Sequence, residues 1–273
     1  DAETAYRHSV IFEAKHQTAK CRLMRELSQT SQLPYTLVTG KLNIAAATIR
    51  SLADAGLIEV TEENVYRKPV LKSDLSGKDG AAKQLSAEQQ AVVDAISQDY
   101  SLGISQTYLL RGITGSGKTE VYMALIERMI AGGKQAIVLI PEIALTYQTL
   151  LRFYLRFGDR VSVMNSRLSP GERSDQYERA AKGEIDIMIG PRSALFTPFE
   201  RLGLVIIDEE HESSYKSETM PKFHAREVAQ ELCRMKHASL LLGSATPSLE
   251  SYYRARQGEI PLFTLNSTLT GGE

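Results

Sequence analysis

From residue 85 onward, short apolar runs alternate with longer stretches in which apolar positions recur every three or four residues. Tyr108-Leu109-Leu110 and residues 135–140, 161–164, 185–189, 204–208 and 239–242 are mostly apolar and of strand length. Nearly continuous rather than alternating, they predict strands buried on both faces. Residues 121–130, 144–157, 170–182 and 225–235 carry helical spacing between them. Strands and helices in alternation predict an α/β fold, a parallel sheet with helices on both faces.

Residues 1–68 follow another rhythm. Over residues 13–29, Ala14, Cys21, Met24 and Leu27 form one helical stripe, with Lys15, Lys20, Arg22 and Arg25 on the other face. Pro34 interrupts it. Asn43 can cap a helix over residues 44–55 with Ile49 and Leu52 inward, and Gly56 can end it. Residues 57–60 and 65–67 alternate as two short strands around Glu62-Glu63-Asn64, a predicted hairpin. Helices followed by a hairpin predict a small winged-helix domain. Thr48 and Arg50 then lie on the exposed face of its recognition helix, and Arg50 is the candidate DNA contact. That helix carries few basic residues, so a packing or protein-contact module fits the same pattern. Residues 69–84, with Pro69, Gly77, Gly80 and little apolar content, read as a linker to a second domain over residues 85–273.

The length of 273 residues suits two domains. With 32 basic and 33 acidic residues the net charge is −1, so a nucleic-acid site has to be a local patch. The two cysteines, Cys21 and Cys233, are too far apart in sequence to read as a metal-ligand pair, and no zinc is expected. They suit a reducing cytoplasm. No apolar run reaches membrane-spanning length. The chain starts at Asp1 and stops soon after its last motif, and reads as a piece of a longer protein.

The chemistry is concentrated at the ends of the predicted strands. Gly112-Ile113-Thr114-Gly115-Ser116-Gly117-Lys118-Thr119 has P-loop spacing, between the strand at Tyr108 and the helix at Val121. The glycines let backbone N–H groups approach phosphate oxygens, and the helix aims its positive end at them. Lys118 supplies a charge for the outer phosphates, and the Thr119 hydroxyl can ligate Mg²⁺. Asp208-Glu209-Glu210-His211 closes the strand at 204–208, where ligands bind in open parallel sheets. Asp208 is placed to hold the metal through water, and Glu209 to orient or deprotonate the attacking water. Gly243-Ser244-Ala245-Thr246-Pro247 follows the strand at 239–242 and resembles the Ser-Ala-Thr motif of superfamily 2 helicases. By that resemblance, His211, Ser244 and Thr246 link the nucleotide site to the nucleic-acid site.

Further runs resemble the PriA family of primosomal replication-restart helicases. They are Thr119-Glu120-Val121-Tyr122 after the P-loop, Pro141-Glu142-Ile143-Ala144-Leu145-Thr146, Arg192-Ser193-Ala194-Leu195-Phe196-Thr197-Pro198, Ser213-Ser214-Tyr215-Lys216, and His224-Ala225-Arg226. The resemblance implies a RecA-like lobe of an ATP-dependent, 3′-to-5′ bacterial helicase that reloads the replication machinery at stalled forks. ATP and Mg²⁺ are the implied cofactors. Forked and single-stranded DNA, other primosome proteins and single-strand-binding proteins are the implied partners. Leu85-Ser86-Ala87-Glu88-Gln89 resembles the family's Gln motif, in which Gln89 reads adenine; the same residues also fit a capping box. By the same resemblance Arg192 holds a DNA phosphate. Tyr215, Phe223 and His224, in the aromatic-rich loop after the acidic box, stack on bases.

There are departures. Pro191 stands where a Thr is expected, Asn165 replaces a His, and the chain has no Trp. The zinc-binding cysteines, the 3′-end-binding domain and the second motor lobe of that family have no counterpart here. Two rivals share parts of the pattern: a RecG-like duplex translocase, whose segment before the acidic box differs from Arg192-Ser193-Ala194-Leu195, and a non-catalytic DNA-binding or protein-docking module.

Overall fold

A computed structural model describes residues 2–30, 33, 35–40, 42–61, 84–166 and 168–267. The chain divides into two compact units, Asp1–Val65 and Tyr66–Glu273.

In the first unit, α1 (Ala2–Ala14) and α2 (Thr18–Gln29) are separate helices. The stripe over 13–29 breaks because His16 takes a left-handed φ of 56°, which ends α1 before α2 begins. A short α3 (Tyr35–Gly40) and α4 (Ala46–Asp54) follow. Ala45, not Asn43, is the N-cap of α4, and Asn43 sits at a φ of 50° in the turn before it. Leu23, Met24, Val38, Ile44, Ile49 and Leu52 form the core. Arg50 is exposed on α4. Residues 57–60, expected as one arm of a hairpin, are not in a strand; the second arm and all of the linker but residue 84 lie outside the described residues.

Among its described residues the second unit holds a seven-stranded sheet. Its elements are α5 (Ala87–Ser101), β1 (Thr107–Gly112), α6 (Lys118–Ala131), β2 (Gln135–Leu139), α7 (Tyr147–Phe157), β3 (Val161–Val163) and α8 (Pro170–Ala181). Then come β4 (Ile187–Gly190), β5 (Leu202–Asp208), α9 (Ala225–Lys236), β6 (Ser239–Ser244), α10 (Leu249–Arg256) and β7 (Leu262–Leu265). The strand order is β3-β4-β2-β5-β6-β1-β7, and every pairing is parallel. Alternate residues of each strand enter opposite cores. Tyr108, Leu110, Val138 and Ile206 pack with Ile96, Val121, Leu125 and Phe153 of α5, α6 and α7. Leu109, Ile137, Leu139 and Ile207 pack with Ala180 of α8 and Ala225, Ala229 and Cys233 of α9. This two-sided burial is what the continuous apolar runs imply.

The strand order places the site. β6 lies between β1 and β5. The P-loop leaves β1, the acidic box leaves β5, and Ser244 ends β6, so three adjacent strands deliver all three motifs to one edge of the sheet.

Candidate nucleotide-binding site

The turn from β1 into α6 is held open by glycine. Gly115 and Gly117 have φ of 81° and 79°, values that L-residues rarely adopt. Gly117 is the N-cap of α6 and offers no side-chain bond. The first N–H groups of α6 therefore need an outside acceptor, which is the condition for binding phosphate. The Ser116 hydroxyl is buried with no partner among the described residues. A cavity of about 320 Å³ opens here, lined by residues 113–119, including Thr114 and Thr119, with Glu120, Arg152, Asp208 and Glu209. Glycine cradle, orphaned hydroxyl, cation and paired carboxylates fit a nucleoside polyphosphate with a divalent cation.

Lys118 closes the cavity's charge balance. Its Nζ donates to the Gly112 carbonyl at 2.9 Å and lies 3.5 Å from Glu209 Oε1. Glu209 takes a left-handed φ of 46°, a strained turn that aims its carboxylate back at Lys118. Asp208 Oδ1 accepts a 2.9 Å bond from the Tyr122 hydroxyl of α6. Burial raises Asp208 above its ordinary 3.8, and the Tyr122 bond opposes that rise. Burial, then the Asp208 charge, pushes the Tyr122 phenol far up, so it stays a donor. The close approach needs Gly243, where a Cβ would collide with the Tyr122 oxygen.

The three residues expected to couple the sites meet. His211 Nδ1 is 2.7 Å from Ser244 Oγ and 3.7 Å from Glu209 Oε2. Its Nε2 is 3.5 Å from Thr246 Oγ1, and Ser244 Oγ accepts from the Thr246 N–H at 3.0 Å.

Two expectations, for Tyr215 and Gln89, need correction, and the structure gives His224 and Arg192 local partners. Tyr215 cannot stack on a base: it is 1% exposed, and its hydroxyl donates to the Leu139 and Asp208 carbonyls. Its phenol gives these two strand-end carbonyls a donor. Gln89 is likewise 1% exposed, and its amide has no open edge for adenine. Oε1 accepts from Ser86 N–H at 2.8 Å in the capping box, and Nε2 donates to the Ser116 carbonyl at 2.9 Å, a strut beneath the P-loop. His224 caps α9, its Nδ1 accepting from Arg226 N–H, and desolvation followed by the Arg226 charge lowers its pKa. Arg192 donates through Nη1 to the Ser214 and Lys216 carbonyls, so that group clamps the loop after the box. That loop is closed by a bridge between Lys216 and His224. Phe223 remains half-buried at its end.

Four residues had no role assigned from sequence. Tyr122 sets Asp208. Phe196, 55% exposed, meets Phe223 edge-on at 5.6 Å. Glu210 is 2% exposed and accepts from Ser248 N–H (2.6 Å), Ser248 Oγ (3.1 Å), Ser251 Oγ (3.0 Å) and Arg226 Nη1 (3.1 Å). It staples the box to the segment after Pro247. Arg152 reaches the cavity from α7. Glu210, a third acid in the box, carried a signal in the sequence, as did Tyr122 and Phe196 within the runs that resemble the helicase family; Arg152 carried none.

The family model for DEAD/DEAH box helicases matches residues 86–255, which contain every one of these motifs. The chain belongs to the DEAD/DEAH box helicase family. It is 43% identical over 253 residues to "Replication restart protein PriA" of Bacillus subtilis, covering 93% of this chain and 31% of that protein. Against the protein of that name from Chlamydia pneumoniae it is 40% identical over 253 residues, covering 92% and 33%. The chain thus spans about a third of the length of these curated relatives. Among solved structures, RecG bound to a three-way DNA junction matches with a TM-score of 0.53 at 24% identity, over 71% of this chain and 25% of that one. That likeness extends to the fold alone. No described helix is long and apolar enough to cross a membrane.

Proposed function

We propose that this chain carries the ATP-binding motor lobe of a 3′-to-5′ DNA helicase that restarts replication at stalled forks. The observation that carries the reading is Lys118 facing Glu209 across the P-loop cavity, 3.5 Å apart, with His211 and Ser244 joined behind Glu209. A non-catalytic module has no use for that arrangement. The relatives named replication restart proteins support the choice of substrate class.

In this reading the phosphates of ATP rest on the turn at Gly112, Thr114, Gly115, Ser116 and Gly117. Lys118 exchanges the Glu209 carboxylate and the Gly112 carbonyl for phosphate oxygens. Thr119 and Asp208 would hold Mg²⁺, which when bound offsets charge on the outer phosphates. Lys118 leaving Glu209 frees that carboxylate. Glu209 then orients water and takes its proton as the water oxygen bonds to the γ-phosphorus; the bond from that phosphorus to ADP breaks, and ADP departs as the anion. His211, Ser244 and Thr246 carry the change to the loop closed by Lys216 and His224. Phe223, with Phe196, offers ring faces to single-stranded DNA. The exposed Arg50, on a winged-helix first unit, adds a duplex or fork contact. Other primosome proteins and single-strand-binding proteins are the partners of this reading.

The test compares this chain with a version extended to the length of the relatives. Both bind ADP and ATP. DNA-stimulated hydrolysis and unwinding are expected in the extended protein, with slow turnover in this chain, because phosphoryl transfer rests on positioning and charge stabilisation. Lys118→Ala should abolish unwinding while fork binding survives. Unwinding that persists in Lys118→Ala overturns the proposal.

A further inference from the structure

The cavity holds a second cation that the P-loop motif does not specify. Arg152 comes from the middle of α7 and lines the same cavity as the P-loop turn. Its side chain is 44% exposed, and one guanidinium nitrogen lies 2.5 Å from Glu120 Oε1. A guanidinium carries five N–H donors in a rigid fork, so donors remain for a ligand. Lys118, in contrast, is already engaged by Glu209 and the Gly112 carbonyl.

What frees Arg152 is the way Glu120 is held. Glu120 is on α6, just after Thr119, and its side chain is 6% exposed. A buried carboxylate stripped of its cation is costly. Glu120 has two cations: Arg156 Nη1 lies 3.2 Å from its other oxygen. Arg156 is itself fixed by Glu127, through Nε at 2.6 Å and Nη2 at 2.8 Å. Glu120 therefore keeps a partner when Arg152 turns away. Arg152 and Arg156 are one helical turn apart on α7, the first facing the cavity and the second, side chain 7% exposed, locked in the ion-pair network.

We propose that Arg152 is a phosphate-binding residue of the nucleotide site, contributed by α7, which exchanges Glu120 for the nucleotide's phosphate oxygens on binding. The proposal rests on the cavity being the nucleotide site. Guanidinium suits the task because it matches phosphate oxygens in pairs, which an ammonium does not.

The experiment measures binding of fluorescently labelled ADP, with unlabelled ADP, AMP and adenosine as competitors, to this chain and to Arg152→Gln, Arg152→Lys, Arg156→Gln and Lys118→Ala, each with a melting curve. Arg152→Gln should weaken ADP about tenfold and adenosine hardly at all, with melting near the parent's. Arg152→Lys should recover part of the loss. Arg156→Gln should lower the melting temperature and leave ADP affinity near the parent's. If Lys118→Ala loses ADP while Arg152→Gln binds like the parent, the Arg152 proposal alone is overturned. It is also overturned if Arg152→Gln loses affinity only in step with its melting temperature. If the parent does not bind ADP, or Lys118→Ala binds it unchanged, the nucleotide-site reading fails and the proposal with it.

Discussion

The 2.7 Å bond between His211 Nδ1 and Ser244 Oγ joins the acidic box to the end of β6. Ser244 is fully buried and also accepts from the Thr246 N–H. Removing the hydroxyl breaks both bonds, each worth about 0.5–1.5 kcal/mol. Ser244→Ala touches neither Lys118 nor the P-loop. In the extended protein it should leave nucleotide affinity unchanged and cut DNA stimulation of hydrolysis about tenfold, a typical coupling energy. Measuring ADP affinity beside hydrolysis at zero and saturating DNA checks this. A loss of ADP affinity would place Ser244 in binding rather than coupling.

Glu209 and Glu210 are neighbours with opposite duties. Glu209 faces Lys118, and Glu210 faces four donors in the segment after β6 and on α9. Glu209→Gln should keep the fold, bind ATP and trap it unhydrolysed, because the amide keeps the shape without the basic oxygen. Glu210→Gln leaves the half-buried Arg226 without its counter-charge and should cost about 3 kcal/mol. At about 2–4 °C per kcal/mol for a unit this size, the difference is readable in a melting curve. If Glu210→Gln melts like the parent, the staple is not what holds the two segments together.

What the sequence made legible was local. Glycine spacing announces the P-loop because the turn's backbone demands it, and continuous apolar runs announce buried strands because both faces of the sheet are covered. What was hidden depends on partners distant along the chain. Tyr215 looked like a stacking ring, but its hydroxyl answers Leu139 across the sheet. The acceptor work of Glu210 lies with Ser248 and Ser251, and the pairing of Arg152 with Glu120 crosses from α7 to α6. α10 and β7 gave no periodic signal: α10 buries only Ser251, and β7 is an edge strand with one buried residue. The break between α1 and α2 turns on the backbone of His16; His is enriched in left-handed turns, but such turns are rare enough that a single His does not announce one.

Cys233 is buried against β6, its thiol donating to the Ser239 carbonyl, and burial pushes its pKa up to about 12. The folded pKa lies above the ordinary 9.0, so this group's contribution to stability is complete below about pH 9 and is lost as pH rises through about 12. The stability advantage of the parent over Cys233→Ala should therefore shrink above pH 9. At pH 8 the native thiol should resist an aromatic disulfide reagent, because the reactive thiolate is absent. A Cys21→Ser background isolates the reading. Rapid labelling of the folded chain would mean that this face of α9 opens.

Phe223 and Phe196 form an edge-to-face pair at 5.6 Å, one half-buried at the end of the loop and the other 55% exposed. Two rings meeting this way at a surface are worth about 0.5–1.5 kcal/mol to the fold, well below the roughly 3–5 kcal/mol of a core phenylalanine. Stacking on a base is worth about 1–3 kcal/mol. In the proposed function these two rings are the ones that meet a base. Phe223→Ala in the extended protein should reduce DNA stimulation of hydrolysis far more than DNA-free hydrolysis, with only a small fall in melting temperature. Phe196→Ala should do the same, since it removes the ring that orients Phe223. Tyr215→Phe supplies the contrast: it deletes the bonds to the Leu139 and Asp208 carbonyls and should lower the melting temperature without a DNA-specific defect. Melting curves beside hydrolysis at zero and saturating DNA separate the cases. If Phe223→Ala lowers both rates in proportion and melts as low as a core variant, Phe223 is packing and the DNA-contacting ring lies elsewhere.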